Sequence, residues 1–121
     1  MSEGAYELFT RGTRLLEDGD FHAATVPLAR ARDLEPDKTS IREALGRALF
    51  RSQRYEDAVS EFSAVVERAP TNDFALFCLG RSLQLLGRHK EARRPLALAS
   101  NLRPERTDYR KYLGQARKRA A

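Results

Sequence analysis

The apolar positions of this chain fall at helical spacing. Leu8, Gly12 and Leu15 stand at i, i+4 and i+7, one face of a helix. Gly19-Asp20 interrupts the pattern, and Phe21 opens a second helix carrying Ala24, Leu28 and Ala31. Pro36, in the sequence LEPD, cannot continue that helix and suits a turn. The pattern then returns as Leu45, Gly46 and Leu49, followed by Tyr55, Ala58, Phe62 and Val65. It returns again as Leu76, Leu79, Gly80 and Leu83, followed by His89, Ala92, Leu96 and Ala99. A last stretch, TDYRKYLGQARKRAA, places Tyr109, Tyr112, Leu113 and Ala116 on one face, which predicts a closing helix with its charge outward. The pattern predicts an all-α chain of seven helices.

The recurrence has a fixed period. Pro36, Pro70 and Pro104 are 34 residues apart, as are Gly12, Gly46, Gly80 and Gly114, and as are Ala24, Ala58 and Ala92. One domain over 1–121 is expected, with repeats at about 5–38, 39–72 and 73–106 and a capping helix over about 107–121. A glycine inside a helix costs roughly 1 kcal/mol against alanine. Gly12, Gly46 and Gly80 repeat that cost at one position, so a neighbouring helix backbone is expected to pass close there. Two units also carry a proline inside the second helix, Pro27 and Pro95, where the middle unit has Glu61. Near the start of a helix such a proline bends the first turn without breaking it. Arg42 stands where the other units have Leu8 and Leu76, leaving Ile41 to take over the packing. Val65 replaces a small alanine, which predicts a looser step from the second unit to the third.

A 34-residue helix–turn–helix unit with a Leu-Gly step, an aromatic, a small Ala, a large apolar residue, a second small residue and a closing Pro resembles the tetratricopeptide repeat family. The resemblance covers nearly all of the chain. It implies a right-handed superhelical stack of antiparallel helix pairs, an α-solenoid without catalytic activity. It also implies that the first helices of successive units line a concave groove where a partner peptide lies.

On that frame the stripe of each first helix away from the core can be read. The first unit offers Tyr6, Phe9, Thr13 and Leu16, and the second Glu43, Ala44, Arg47, Phe50 and Arg51. The third offers Phe74, Phe77, Cys78 and Arg81, and the cap Lys111, Tyr112 and Gln115. Phe74, Phe77 and Arg81 recur at i, i+3 and i+7, so this helix is apolar nearly all round. Arginines flanked by phenylalanines suit a protein or peptide partner with a carboxylate and a bulky apolar side chain. The same aromatics could instead pack on neighbouring helices, and the arginines could pair with Glu17 or Glu43. The family's chaperone-docking members hold a heat-shock chaperone's C-terminal carboxylate with a clamp of Lys, Asn and Arg. Those slots hold Phe9, Thr13, Ala44, Phe74 and Cys78 here, so that motif is not the expected partner.

Composition narrows the alternatives. The chain has 121 residues, 41% hydrophobic and 32% charged, which fits one globular domain. Its net charge of +5 sits in the closing helix and the turn before it: residues 103–121 carry seven basic groups against Glu105 and Asp108, while the rest balances. A basic C-terminal helix could meet nucleic acid or an acidic surface, but Tyr109 and Tyr112 are better used as its buried face. A self-associating homodimer through the third unit's apolar face is the other alternative. The opening MSEGAYELFT is polar and acidic, unlike a signal peptide, and no apolar run is long enough to span a membrane. One cysteine allows no intrachain disulfide, consistent with a cytoplasmic protein. No phosphate-binding glycine loop or metal-ligand spacing occurs, so no cofactor, metal or catalytic residue is expected. His89 shares the column of Phe21 and Tyr55 and reads as a corner residue; His22 reads as surface.

Overall fold

A computed structural model describes residues 3–121 and shows seven helices joined by short turns. They are α1 (Ala5–Glu17), α2 (Phe21–Leu34), α3 (Thr39–Arg51), α4 (Tyr55–Arg68), α5 (Asp73–Leu85), α6 (His89–Leu102) and α7 (Thr107–Ala120). Each packs on its sequence neighbours, and α1, α3, α5 and α7 also touch in succession along one side. The result is an all-α solenoid of antiparallel pairs. Its core is a row of connected clusters: Leu8, Ala31 and Ile41 at one end, Phe62, Val65 and Ala75 in the middle, and Leu96, Leu113 and Ala116 at the other.

The repeated glycines work by a different contact from the one expected. A Cβ on Gly12 would lie 2.4 Å from Leu28, one on Gly80 2.4 Å from Leu96, and one on Gly46 2.9 Å from the Phe62 ring. The close neighbour is a large side chain of the paired helix, not its backbone. Gly114 shares the column, but a Cβ there would meet nothing within 4 Å.

The helices continue through Pro27 and Pro95, both buried, as the spacing predicts. In the middle unit Glu61 is only 4% exposed, although it is a carboxylate. Two arginines explain its burial: Arg32 Nη1 donates to it at 2.7 Å and Arg42 Nη1 at 3.0 Å. The departures Arg42 and Glu61 are thus one compensated pair. Ile41 is buried beside Leu8 and Ala31, taking over the packing as expected. Val65 is fully buried, in one cluster with Ala75 of α5. The turns within the pairs need a left-handed residue, which is Gly19 (φ 82°), Gly87 (φ 78°) and, in the middle unit, Gln53 (φ 63°).

Helix α7 closes the stack. Tyr109, Leu113 and Ala116 are buried, and Tyr109 Oη donates to Asp73 Oδ2 at 2.7 Å. Burial and the Asp73 carboxylate push the Tyr109 phenol above its usual range, keeping it a donor. Among the described residues no helix is long and apolar enough to cross a membrane.

Candidate peptide-binding groove

The α1–α3–α5–α7 side encloses a cleft of about 810 Å³. Its walls come from the end of α1 (Leu16, Glu17), the turn after it (Gly19), the start of α2 (Phe21), α3 (Arg47, Phe50, Arg51), α4 (Phe62), α5 (Phe74, Phe77, Cys78, Arg81) and α7 (Asp108, Tyr112). Nine of the sixteen candidate residues therefore converge: Leu16, Arg47, Phe50, Arg51, Phe74, Phe77, Cys78, Arg81 and Tyr112.

The others are placed elsewhere, each for a local reason. Tyr6, which is 77% exposed, and Phe9 line a separate cleft with Glu35, Lys38 and Ile41 at the N-terminal end. Thr13 turns its hydroxyl back on its own helix, donating to the Thr10 carbonyl at 3.0 Å. Glu43 accepts from Asn72 Nδ2 at 2.9 Å, which ties α3 to the turn before α5. Ala44 is buried in the core, and Leu16, although it borders the cleft, is also a core residue. Lys111 and Gln115 lie on the exposed side of α7, with the Lys111 ammonium 5.4 Å from the Tyr112 ring.

The aromatic excess on α5 is partly structural. Phe77 stacks on Tyr109 with ring centroids 4.6 Å apart and tilts against Tyr112 at 5.7 Å, so its ring joins α5 to α7. Phe50 meets Tyr55 edge-on at 5.5 Å. Phe74 remains the exposed aromatic of the cleft.

Two of the groove's three arginines lie on aromatic faces. Arg51 lies 4.2 Å above the Phe21 ring and Arg81 lies 3.9 Å above Tyr112. Arg81 Nη1 also donates to Gln84 Oε1 at 2.9 Å, and Gln84 Nε2 donates to the Tyr112 carbonyl at 2.9 Å. Among the described residues Arg47, Arg51 and Arg81 form no ion pair with any carboxylate, so the expected partners Glu17 and Glu43 do not neutralise them. The cleft's acidic groups are Glu17 at one end and Asp108 at the other, where Arg106 donates to Asp108 at 3.0 and 2.7 Å. Cys78 is a thiol, not a thiolate: burial pushes it up to about 12, with Glu43 adding and Arg47 opposing. The groove can hold anionic and apolar groups, and its cysteine is protonated at neutral pH.

Phe21 and Tyr112 are the lining residues whose part the sequence left open. Phe21 reads as a corner filler, and only the cation–π contact with Arg51 shows that it also supports the groove. Of the basic residues near the C-terminus, Arg103 is paired with Glu105 and Arg106 with Asp108. Tyr109 is buried and Tyr112 is half-buried under Arg81, so neither offers a free face for stacking bases. His22 is exposed, and half-buried His89 has an Nδ1 that finds no hydrogen-bond partner.

A repeating helix-pair solenoid with a charged concave groove defines the class of helical-repeat proteins. A tetratricopeptide repeat family model matches residues 9–73, more than half of the chain, and the chain belongs to that family. Among solved structures, a MamA double mutant (RS-1 ArsTM) superposes with a TM-score of 0.91 at 24% identity, over 96% of this chain and 65% of that one. MamA from Desulfovibrio magneticus RS-1 gives 0.90 at 24% identity, over 96% and 66%. The first tetratricopeptide domain of Spaghetti (RPAP3), bound to the HSP90 peptide SRMEEVD, gives 0.86 at 19% identity, over 98% and 94%. The chain thus spans just under two thirds of these MamA chains, and at such identities the likeness is one of fold.

Proposed function

We propose that this protein is a non-catalytic scaffold whose concave groove takes a segment of a partner protein carrying acidic and bulky apolar side chains. The observation that carries this reading is the set of Arg47, Arg51 and Arg81, unpaired with any carboxylate among the described residues and lining one cleft with Phe21, Phe50, Phe74 and Tyr112. A guanidinium fixed on an aromatic face loses little freedom on meeting a carboxylate. The RPAP3 domain shows the same fold holding an acidic peptide, SRMEEVD. Here the arginines sit at other positions than the chaperone clamp, whose slots hold Phe9, Thr13, Ala44, Phe74 and Cys78, so the ligand is a different acidic sequence.

A pull-down from host lysate with wild type and with Arg47→Glu/Arg81→Glu tests this. Arg47 is exposed, whereas Arg81→Glu also removes the contact with Tyr112, so the variant is compared with wild type only after its helicity confirms that it is folded. A protein captured by the wild type and lost by the folded variant supports the groove. Equal capture by both contradicts it.

A further inference from the structure

The internal repeat lets each first helix be compared with the helix that packs on it. On α3, Arg42 and Gly46 are four residues apart and receive two adjacent residues of α4. Arg42 Nη1 donates to Glu61 Oε1 at 3.0 Å, and Gly46 makes room for the Phe62 ring. In the first and third pairs the corresponding sets are Leu8 and Gly12 with Pro27-Leu28, and Leu76 and Gly80 with Pro95-Leu96. A leucine thus goes with a proline, and an arginine with a glutamate.

Helix α7 carries the arginine version. Arg110 and Gly114 occupy the Arg42 and Gly46 positions. The likeness extends to geometry: Arg42 Nε donates to the Pro36 carbonyl at 2.7 Å, and Arg110 Nη1 donates to the Pro104 carbonyl at 2.6 Å. Each guanidinium is anchored six residues back, at the closing proline. Arg110 has no carboxylate partner among the described residues, and the space over Gly114 is open.

We propose that the outer face of α7 is a docking surface for an amphipathic helix of another protein, one presenting a glutamate followed by phenylalanine or leucine. Arg110 takes the carboxylate, and the apolar side chain sits over Gly114, where no side chain stands in its way. Arg117 and Lys118, exposed on the same helix, add charge that favours an acidic helix. Ser100 stands where Arg32 does, so the carboxylate is held by one arginine instead of two. A second copy of this chain is a poor occupant. Its glutamates followed by a large apolar residue are Glu7-Leu8 and Glu61-Phe62, and Leu8 and Phe62 are both fully buried.

The chain's own α4 supplies a probe. The acetylated, amidated peptide RYEDAVSEFSAVVER (Arg54–Arg68) is titrated into isotope-labelled full-length protein, following amide signals by NMR. This reads millimolar affinities, so the marginal helicity of a short peptide is no obstacle. Saturable shifts at Arg110 and Gly114 are expected. Binding should weaken at least about fivefold when the probe's central glutamate becomes alanine, and Arg110→Leu protein should lose that preference. Gly114→Leu protein, which fills an open position without touching the core, should not bind the probe at this face. No saturable shift on α7, or equal binding by Gly114→Leu, overturns the proposal. So do shifts confined to Arg47 and Arg81, which would make the peptide a groove ligand only. A mass for the free protein that doubles with concentration and is halved by Gly114→Leu would assign the face to a second copy and equally overturn it.

Discussion

Glu61 is the residue whose environment most depends on distant partners. Removing its carboxylate leaves Arg42 without its ion pair and Arg32 with only Asp33, which its Nη2 reaches at 3.0 Å. Both guanidiniums are partly solvated, so Glu61→Ala should cost about 2 kcal/mol, below the figure for a fully buried pair. Arg42→Leu/Glu61→Pro copies the pairing of the first and third units and should unfold within about 1 kcal/mol of wild type in urea. The glycine column makes a second contrast. Gly12→Ala drives a Cβ into Leu28 and should destabilise by about 2 kcal/mol, whereas Gly114→Ala meets nothing and should stabilise by up to about 1 kcal/mol. Equal effects at the two positions would contradict the packing described. Both departures, Arg42 and Glu61, are visible in the sequence because the repeat aligns the chain with itself. Their mutual contact is not, because it joins residues on different helices.

At the scale of elements, periodicity marked all seven helices, since three near-copies of one unit repeat the same evidence of a buried face. Depth within the groove was harder to read. A helical stripe gives the direction of a side chain but not what meets it: Glu43 is captured by Asn72, 29 residues on, and Ala44 sinks into the core. Phe77 likewise faces the cleft while its ring holds α7 in place. The turn within the middle pair carries Gln53 in a conformation that costs a non-glycine residue about 1 kcal/mol. Gln53→Gly should therefore raise the melting temperature, and a lowered one would show that the side chain has another role. Tyr109→Phe keeps the stacked ring but removes the hydrogen bond to Asp73. It should cost about 1 kcal/mol in denaturant unfolding, while a neutral result would mean that this bond does not secure α7.

For the whole molecule, contacts run between neighbouring helices, so stability is nearly one-dimensional and the concave side is free to present a surface. That surface places three arginines, without acidic partners among the described residues, in one cleft with aromatic rings. The most direct test is selection from a random peptide library on the immobilised full-length protein, followed by affinity measurement on wild type and Arg47→Glu/Arg81→Glu at two salt concentrations. Replacing Phe77 is the wrong control, because its loss would also loosen α7. The account predicts enriched peptides that combine acidic with bulky apolar residues, bind at least roughly thirtyfold more weakly to the double variant, and weaken as salt rises. Enriched peptides with no acidic bias, or equal binding to the folded double variant, would contradict the groove as the site of recognition.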